Sequence, residues 1–329
     1  MNQTLTGRLA PSPTGAQHIG NARTFLIAWL SIRSRGGKLI LRIEDIDSPR
    51  VKQWAIDQAI EDLTWLGLDW DEGPDRPGHH SPYLQTERTS GYRSVIEELK
   101  SQEMVYPCTC SRSDVLAAAS APHELHSKGK SSLADAPIYP KRCAYRSAGR
   151  IDQIATPFSW RYRTSTHSIQ FHDQVFGLQK TIPAVTLGDF VVGKSDGSTS
   201  YQLAVVHDDH DMEVTEVLRG DDLIPSTFRQ LDIYQFLGWK PPQFVHVPLV
   251  VGEDGRRLAK RHGDTRLSFL RENQVSPLKL IGWLAASCGW LDRPMEIAAA
   301  DLLPLFNLDV IPRKPAVFDA QALDFLQGP

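Results

Sequence analysis

Two hydrophobic periods alternate along the first hundred residues. A short strand pattern ends near Leu9, and a helical apolar pattern begins near Ile19. KLILRIED (38–45) is rich in leucine and β-branched residues, which predicts a buried strand. In WAIDQAIEDLTWLGL, Trp54, Ile56, Ile60, Leu63 and Leu66 fall near helical spacing, and Gly67 predicts the stop. SGYRSVIEELKSQEM (90–104) reads as a further amphipathic helix leading into VYPCTC. This β-α-β-α order predicts an α/β fold, a parallel sheet covered by helices with ligands at the carboxyl ends of its strands. From about 106 to 185 the pattern changes. A Ser/Ala/His/Lys-rich stretch (117–136) reads as a flexible excursion, FSWRYR and SIQFHD read as short strands, and together they suggest an insertion. GDFVVGKSDGSTSYQLAVVHDD predicts two strand-like segments around a D-G turn that return the chain to the parallel sheet. Beyond Gly252 the chain becomes basic and then mainly helical, as in LKLIGWLAASCGW, and no internal repeat is visible.

At 329 residues the chain predicts about two domains, with 41 % hydrophobic content sufficient for sizeable cores. A formal charge of −3 does not mark a nucleic-acid binder, so any RNA contact requires local basic surface. Arg256, Arg257, Lys260, Arg261, Arg266 and Arg271 form one such cluster. No apolar run of membrane-spanning length and no signal-peptide core are found, so cytoplasmic residence without membrane contact is expected. Four cysteines do not suggest a disulfide framework and must be read for metal binding instead. Cys288 sits within an apolar helical pattern and reads as core.

RLAPSPTGAQHIGNAR (8–23) combines a strand, a Pro- and Gly-laced turn and a helix start, the layout of a phosphate-binding turn. Gly20 lets a phosphate approach the backbone, the helix presents its first N–H groups and positive dipole end, and His18 can donate a hydrogen bond. The segment resembles the HIGH signature of class I aminoacyl-tRNA synthetases in their glutamyl and glutaminyl branch. The resemblance extends through RIEDID (42–47), GDFVVGKSDG with YQLAVVHDDHDMEVTEVLRG (188–220) and RRLAKRHGD (256–264). RRLAKRHGD resembles the KMSKS loop, with Arg257 at the first lysine position, Ala259 at the serine and Lys260 at the second lysine.

The resemblance implies a Rossmann-like parallel sheet with a zinc-bearing insertion and a small helical C-terminal region. Its expected division is a first half-fold at 1–105, the insertion at 106–185, the second half-fold at 186–250, and the KMSKS-like loop with a stem-contact region at 251–329. It further implies that His18 and Lys260 are catalytic, and that His18, Gly20, Asn21, Arg257 and Lys260 bind ATP with Mg2+. Arg8, Ser12, Glu44, Tyr201 and Arg219 are implied glutamate contacts, the arginines for carboxylates and Glu44 for the ammonium.

Cys108 and Cys110, two positions apart on an extended segment, project to one side, and Cys143 can close a zinc site with them. Tyr139 matches the phenolate ligand of one branch, the glutamyl-queuosine tRNA(Asp) synthetases, while His123 and His126 are alternative fourth ligands. Three unrelated buried thiols are the other reading. About 65 residues follow His262, and Val205 stands where glutamyl-tRNA synthetases show asparagine. Both features match the queuosine branch, which implies L-glutamate activation without tRNA and transfer to the anticodon arm of tRNA(Asp) by a monomer. A shortened synthetase charging the tRNA 3′ end and a non-catalytic zinc- and RNA-binding relative are the alternatives.

Overall fold

A computed structural model describes residues 4–13, 16–46, 53–120, 137–256, 258 and 264–328. Strand β1 (Thr6–Leu9) leads to helix α1 (Ile19–Arg33) and strand β2 (Lys38–Leu41). Helices α2 (Gln53–Trp65) and α3 (Thr89–Ser101) follow, then β3 (Val105–Cys108) and α4 (Arg112–Ser120). Next come β4 (Ser159–Tyr162), β5 (Ile169–Asp173), β6 (Gly177–Thr181), the single turn α5 (Pro183–Thr186) and β7 (Phe190–Gly193). Helix α6 (Tyr201–Asp211), β8 (Glu216–Gly220), α7 (Ile224–Leu237), β9 (Gln243–Val247) and β10 (Val250–Gly252) complete the middle. Helices α8 (Leu267–Glu272) and α9 (Pro277–Ser287), strand β11 (Ala316–Phe318) and helix α10 (Ala320–Gln327) end the described chain.

The parallel layer holds β2 beside β1 and β8 beside β9. Thr215 N–H donates to the Thr6 carbonyl at 2.9 Å and Thr6 N–H to Thr215 Oγ1 at 2.8 Å, which joins the two pairs across the middle. Helix α1 lies along β1, β2 and β8, and its Leu26 and Leu30 are fully buried with Leu9, Leu39 and Val245. The same core takes in Leu280, Ile281 and Leu284 of α9, so the C-terminal helices pack directly on the first half of the chain. Cys288 is buried in this core, as its pattern predicts. Among the described residues no helix is long and apolar enough to cross a membrane.

Two expectations are corrected. β7 does not join the parallel layer but pairs antiparallel with β4, which in turn pairs antiparallel with β3. YQLAVVHDDHD is helix α6, not a strand. Its Leu203, Ala204, Val205, Val206, Asp208 and Asp209 are all buried, so it lacks the one-sided apolar stripe that distinguishes a surface helix from a strand. The hairpin of β5 and β6 leans against β9 and the core around Phe171 and Phe228. Trp54, placed on the apolar face of its helix by spacing, is 57 % exposed. Gly67 ends α2's run with φ of +75°, a left-handed conformation that suits glycine.

Candidate active site

A cavity of about 510 Å3 opens between the N-terminus of α1 and the carboxyl ends of β1 and β8. Arg8, Ser12, His18, Gly20, Asn21, Glu44, Tyr201 and Arg219 all line it, so eight of the residues singled out from sequence meet in one place.

At the helix end, His18 caps α1. Its Nδ1 accepts the Gly20 N–H at 3.1 Å, and Asn21 Oδ1 accepts the His18 N–H at 3.1 Å, a reciprocal capping box. An accepting Nδ1 puts the proton of the neutral ring on Nε2, which is thereby a donor. A Cβ added at Gly20 would come within 2.9 Å of His18 Cε1, so glycine here also seats the histidine ring. The segment that follows the basic loop returns to this point. Leu258 lines the cavity, the Thr265 carbonyl accepts the Ile19 N–H at 3.0 Å, and the Gln17 carbonyl accepts the Leu267 N–H at 2.8 Å. Arg257, Lys260 and Arg261 lie outside the described residues. Arg266 pairs with Asp264 at 2.7 Å and Arg271 with Glu61 at 2.8 Å, both exposed ion pairs within the chain.

The deeper end is ionic and buried. Arg42, fully buried, donates to Asp209 Oδ1 at 2.7 Å and to Glu44 Oε1 at 3.0 Å, and lies 3.9 Å from Asp208. Asp208 also accepts from Arg88, Gln85 and Tyr92. These contacts hold Glu44 in place, where burial pushes its pKa up against the pull of Arg42 and Arg8. Arg8 Nη1 donates to the Leu218 carbonyl at 3.1 Å, its Nε lies 3.6 Å from Asp209, and that Nε has no hydrogen-bond partner among the described residues. Arg219 Nη1 is likewise buried without a partner among them. Burial and the nearby Glu44 push Tyr201 up to about 12, so its hydroxyl remains a neutral donor. Sequence reading passed over Arg42, Asp208 and Asp209. The paired acids of VVHDD were visible, but nothing in the sequence showed them facing Arg42 of β2's extension.

A second cluster sits at the end of β3. The Sγ atoms of Cys108, Cys110 and Cys143 lie within 4.8 Å of one another. Cys110 and Cys143 are 3.8 Å apart, and Tyr139 Oη is 3.3 Å from Cys108 Sγ and 3.7 Å from Cys110 Sγ. Around tetrahedral zinc, ordinary bond lengths give S–S edges of about 3.8 Å and S–O edges of about 3.5 Å. The three thiols, with the Tyr139 hydroxyl beside them, are a donor set compatible with zinc. Within the cluster, burial raises the Cys110 thiol, while for Cys143 hydrogen bonds from the Thr109 N–H and from Tyr139 outweigh burial and bring it down to about 7. His123 and His126 lie outside the described residues.

Comparison with known proteins agrees with this geometry. Residues 4–325 match the family of class I tRNA synthetases (E and Q), catalytic domain. The chain is 48 % identical to the Glutamyl-Q tRNA(Asp) synthetase of Rhodopirellula baltica, over 97 % of this chain and 98 % of that one. It is 47 % identical to the protein of the same name from Symbiobacterium thermophilum, over 98 % and 99 %. A glutamate–tRNA ligase of Dehalococcoides mccartyi is 36 % identical, with 65 % of its length covered. A crystal structure of a glutamate tRNA ligase from Elizabethkingia meningosepticum in complex with its amino acid superposes with a TM-score of 0.82 at 26 % identity, covering 98 % of this chain and 68 % of that one. With the α1 turn, the paired parallel strands and the cavity between them in the expected order, the chain belongs to the class I tRNA synthetases of the glutamyl and glutaminyl group.

Proposed function

We propose that this ligase activates L-glutamate with ATP and passes it to queuosine in the anticodon arm of tRNA(Asp). The observation that carries the first half is the cavity floor. Two buried arginines each keep a guanidinium nitrogen without a hydrogen-bond partner among the described residues, beside one buried carboxylate, which complements two carboxylates and an ammonium. The second half is supported by the similarity to two Glutamyl-Q tRNA(Asp) synthetases along nearly their whole length.

As a class I synthetase the chain uses ATP with Mg2+, which screens the phosphate charge, together with glutamate and tRNA. His18 Nε2 and the positive end of the α1 dipole receive the phosphates, joined by Arg257 and Lys260 of the KMSKS-like loop. Arg8 and Arg219 receive the carboxylates, Glu44 takes the ammonium, and Ser12 and Tyr201 complete the contacts. One α-carboxylate oxygen attacks the α-phosphorus, the bond to the bridging oxygen breaks, and pyrophosphate leaves with that electron pair. A queuosine hydroxyl then attacks the carbonyl carbon of the mixed anhydride, AMP leaves, and the hydroxyl proton passes to solvent. Zinc held by Cys108, Cys110, Tyr139 and Cys143 is structural, because four protein ligands leave no open position. The active form is a monomer in the cytoplasm, and its four segments divide at 105, 185 and 250.

Pyrophosphate exchange and labelled transfer test this together. Exchange proceeds with glutamate in the absence of RNA, and label appears on tRNA(Asp) only when it carries queuosine. Label on the 3′ end of tRNA(Glu) decides for a shortened synthetase, and no exchange under any condition decides for a non-catalytic relative.

A further inference from the structure

Among the described residues, the hydrogen bonds that Arg219 makes all go to neutral acceptors. Its Nη2 donates to Thr227 Oγ1 and to Gln230 Oε1, each at 2.7 Å, and its Nε donates to His246 Nε2 at 3.3 Å. Arg42 differs, being matched by Glu44, Asp208 and Asp209. Arg219 therefore reaches the cavity with its charge uncompensated by a directly bonded carboxylate, and burial lowers its pKa.

This arrangement depends on which nitrogen of His246 carries the proton. Asp173, at the end of β5, accepts from His246 Nδ1 at 2.7 Å and from the His246 backbone N–H at 2.9 Å, and both side chains are fully buried. A proton on Nδ1 leaves Nε2 as the acceptor that faces Arg219. The charged groups around the ring are Asp173, Arg219 and Asp222, and the rings of Phe171 and Phe244 cover it. Burial pulls the imidazole down to about 4 in spite of Asp173, which keeps it neutral near pH 7. Gln230 is oriented in a similar way, since its Nε2 donates to Gln202 Oε1 at 3.1 Å and so turns its own oxygen toward Arg219.

We infer that Asp173 and His246 are positioning residues for amino-acid selection: they hold the Nδ1–H tautomer that lets Arg219 meet the ligand as an uncompensated cation. A side-chain carboxylate satisfies that cation, whereas the amide of glutamine leaves it buried and unpaired. The reverse tautomer would turn an N–H toward the Arg219 N–H and leave Thr227 Oγ1, 3.0 Å from Nε2, to accept it, so that Arg219 loses His246 as a neutral acceptor. The inference rests on the assignment of the cavity to glutamate.

Asp173→Asn reverses the tautomer, because an amide can donate to Nδ1. The variant is expected to raise KM for glutamate about ten-fold or more and to lose a similar factor of discrimination against glutamine, with kcat and KM for ATP moving less than about three-fold. His246→Gln in the Asp173→Asn background supplies an amide oxygen to Arg219 without a tautomer and restores much of the glutamate KM. An unchanged glutamate KM in Asp173→Asn overturns the inference. Asp173 also accepts the N–H groups of Val175 and Phe176, so that variant loses turn contacts too, and the wild-type protein supplies the independent measurement. Long-range 1H–15N spectra at pH 7 should show His246 as the neutral Nδ1–H form, and an Nε2–H or doubly protonated ring overturns the inference regardless of activity. No glutamate-dependent exchange in wild-type protein sinks the glutamate reading, and the selection role with it, while the tautomer measurement judges the geometry separately.

Discussion

Arg8 leaves its Nε without a hydrogen-bond partner among the described residues because Asp209, its ionic neighbour, is bonded more closely to Arg42. That division of charge makes a clean prediction. Arg8→Ala removes a ligand contact yet leaves Asp209 paired with Arg42, so the fold should survive while kcat/KM for glutamate in pyrophosphate exchange falls about 10^3-fold. ATP binding measured without glutamate should be nearly unchanged. A mild loss, under about ten-fold, would take Arg8 out of the carboxylate site. At this scale the sequence reading reached the side chains that line the cavity and missed their supports. Arg8 and Glu44 stand in short motifs, whereas the pairing of Arg42 with Asp209 crosses from one half of the chain to the other.

The elements explain where local pattern sufficed. His18, Gly20 and Asn21 build a helix cap within four residues, so the turn was readable without tertiary information. Asn21 is engaged with the His18 backbone, which gives it a capping role beside any phosphate contact. Helix α6 was misread because burial on all sides erased its period. The cysteine cluster was readable as a CxC and a later cysteine, but the place of Tyr139 was decided by the fold, which brings its hydroxyl to the sulfurs and bonds it to the Cys143 N–H at 2.9 Å. Cys110→Ser should therefore reduce zinc below the one equivalent per chain expected of the wild type and lower thermal stability, with exchange affected only through the loosened insertion. Wild-type protein containing well under one zinc by elemental analysis would end that assignment.

Across the molecule, helices distant in sequence share buried charge. Asp62 of α2 is wholly buried and lies 3.2 Å from Arg271 of α8. Burial raises its pKa to about 6, Arg271 only partly opposing this. An unfolded aspartate ionises near about 4, so the folded state holds this proton longer and loses stability as pH rises from about 4 to 6, the loss persisting above that. Asp62→Asn has no such titration. Its stability relative to wild type should rise by on the order of 2 kcal/mol between pH 4.5 and pH 7.5 in urea unfolding. Equal differences at the two pH values would show that Asp62 ionises normally. Arg271 thereby ties α8 to α2 through both Glu61 and Asp62.

Sequence by itself determined the α/β class, the helix-capping turn and the CxC pair, because each rests on local pattern, while the candidate ligand residues came from the family resemblance. Tertiary structure decided the rest. It turned β7 into an antiparallel strand, buried α6, set Arg42 between three carboxylates and placed Asp173 against His246. Those features are pairings between segments far apart in the chain, and buried charges choose their partners by proximity in the folded core, which no local pattern encodes.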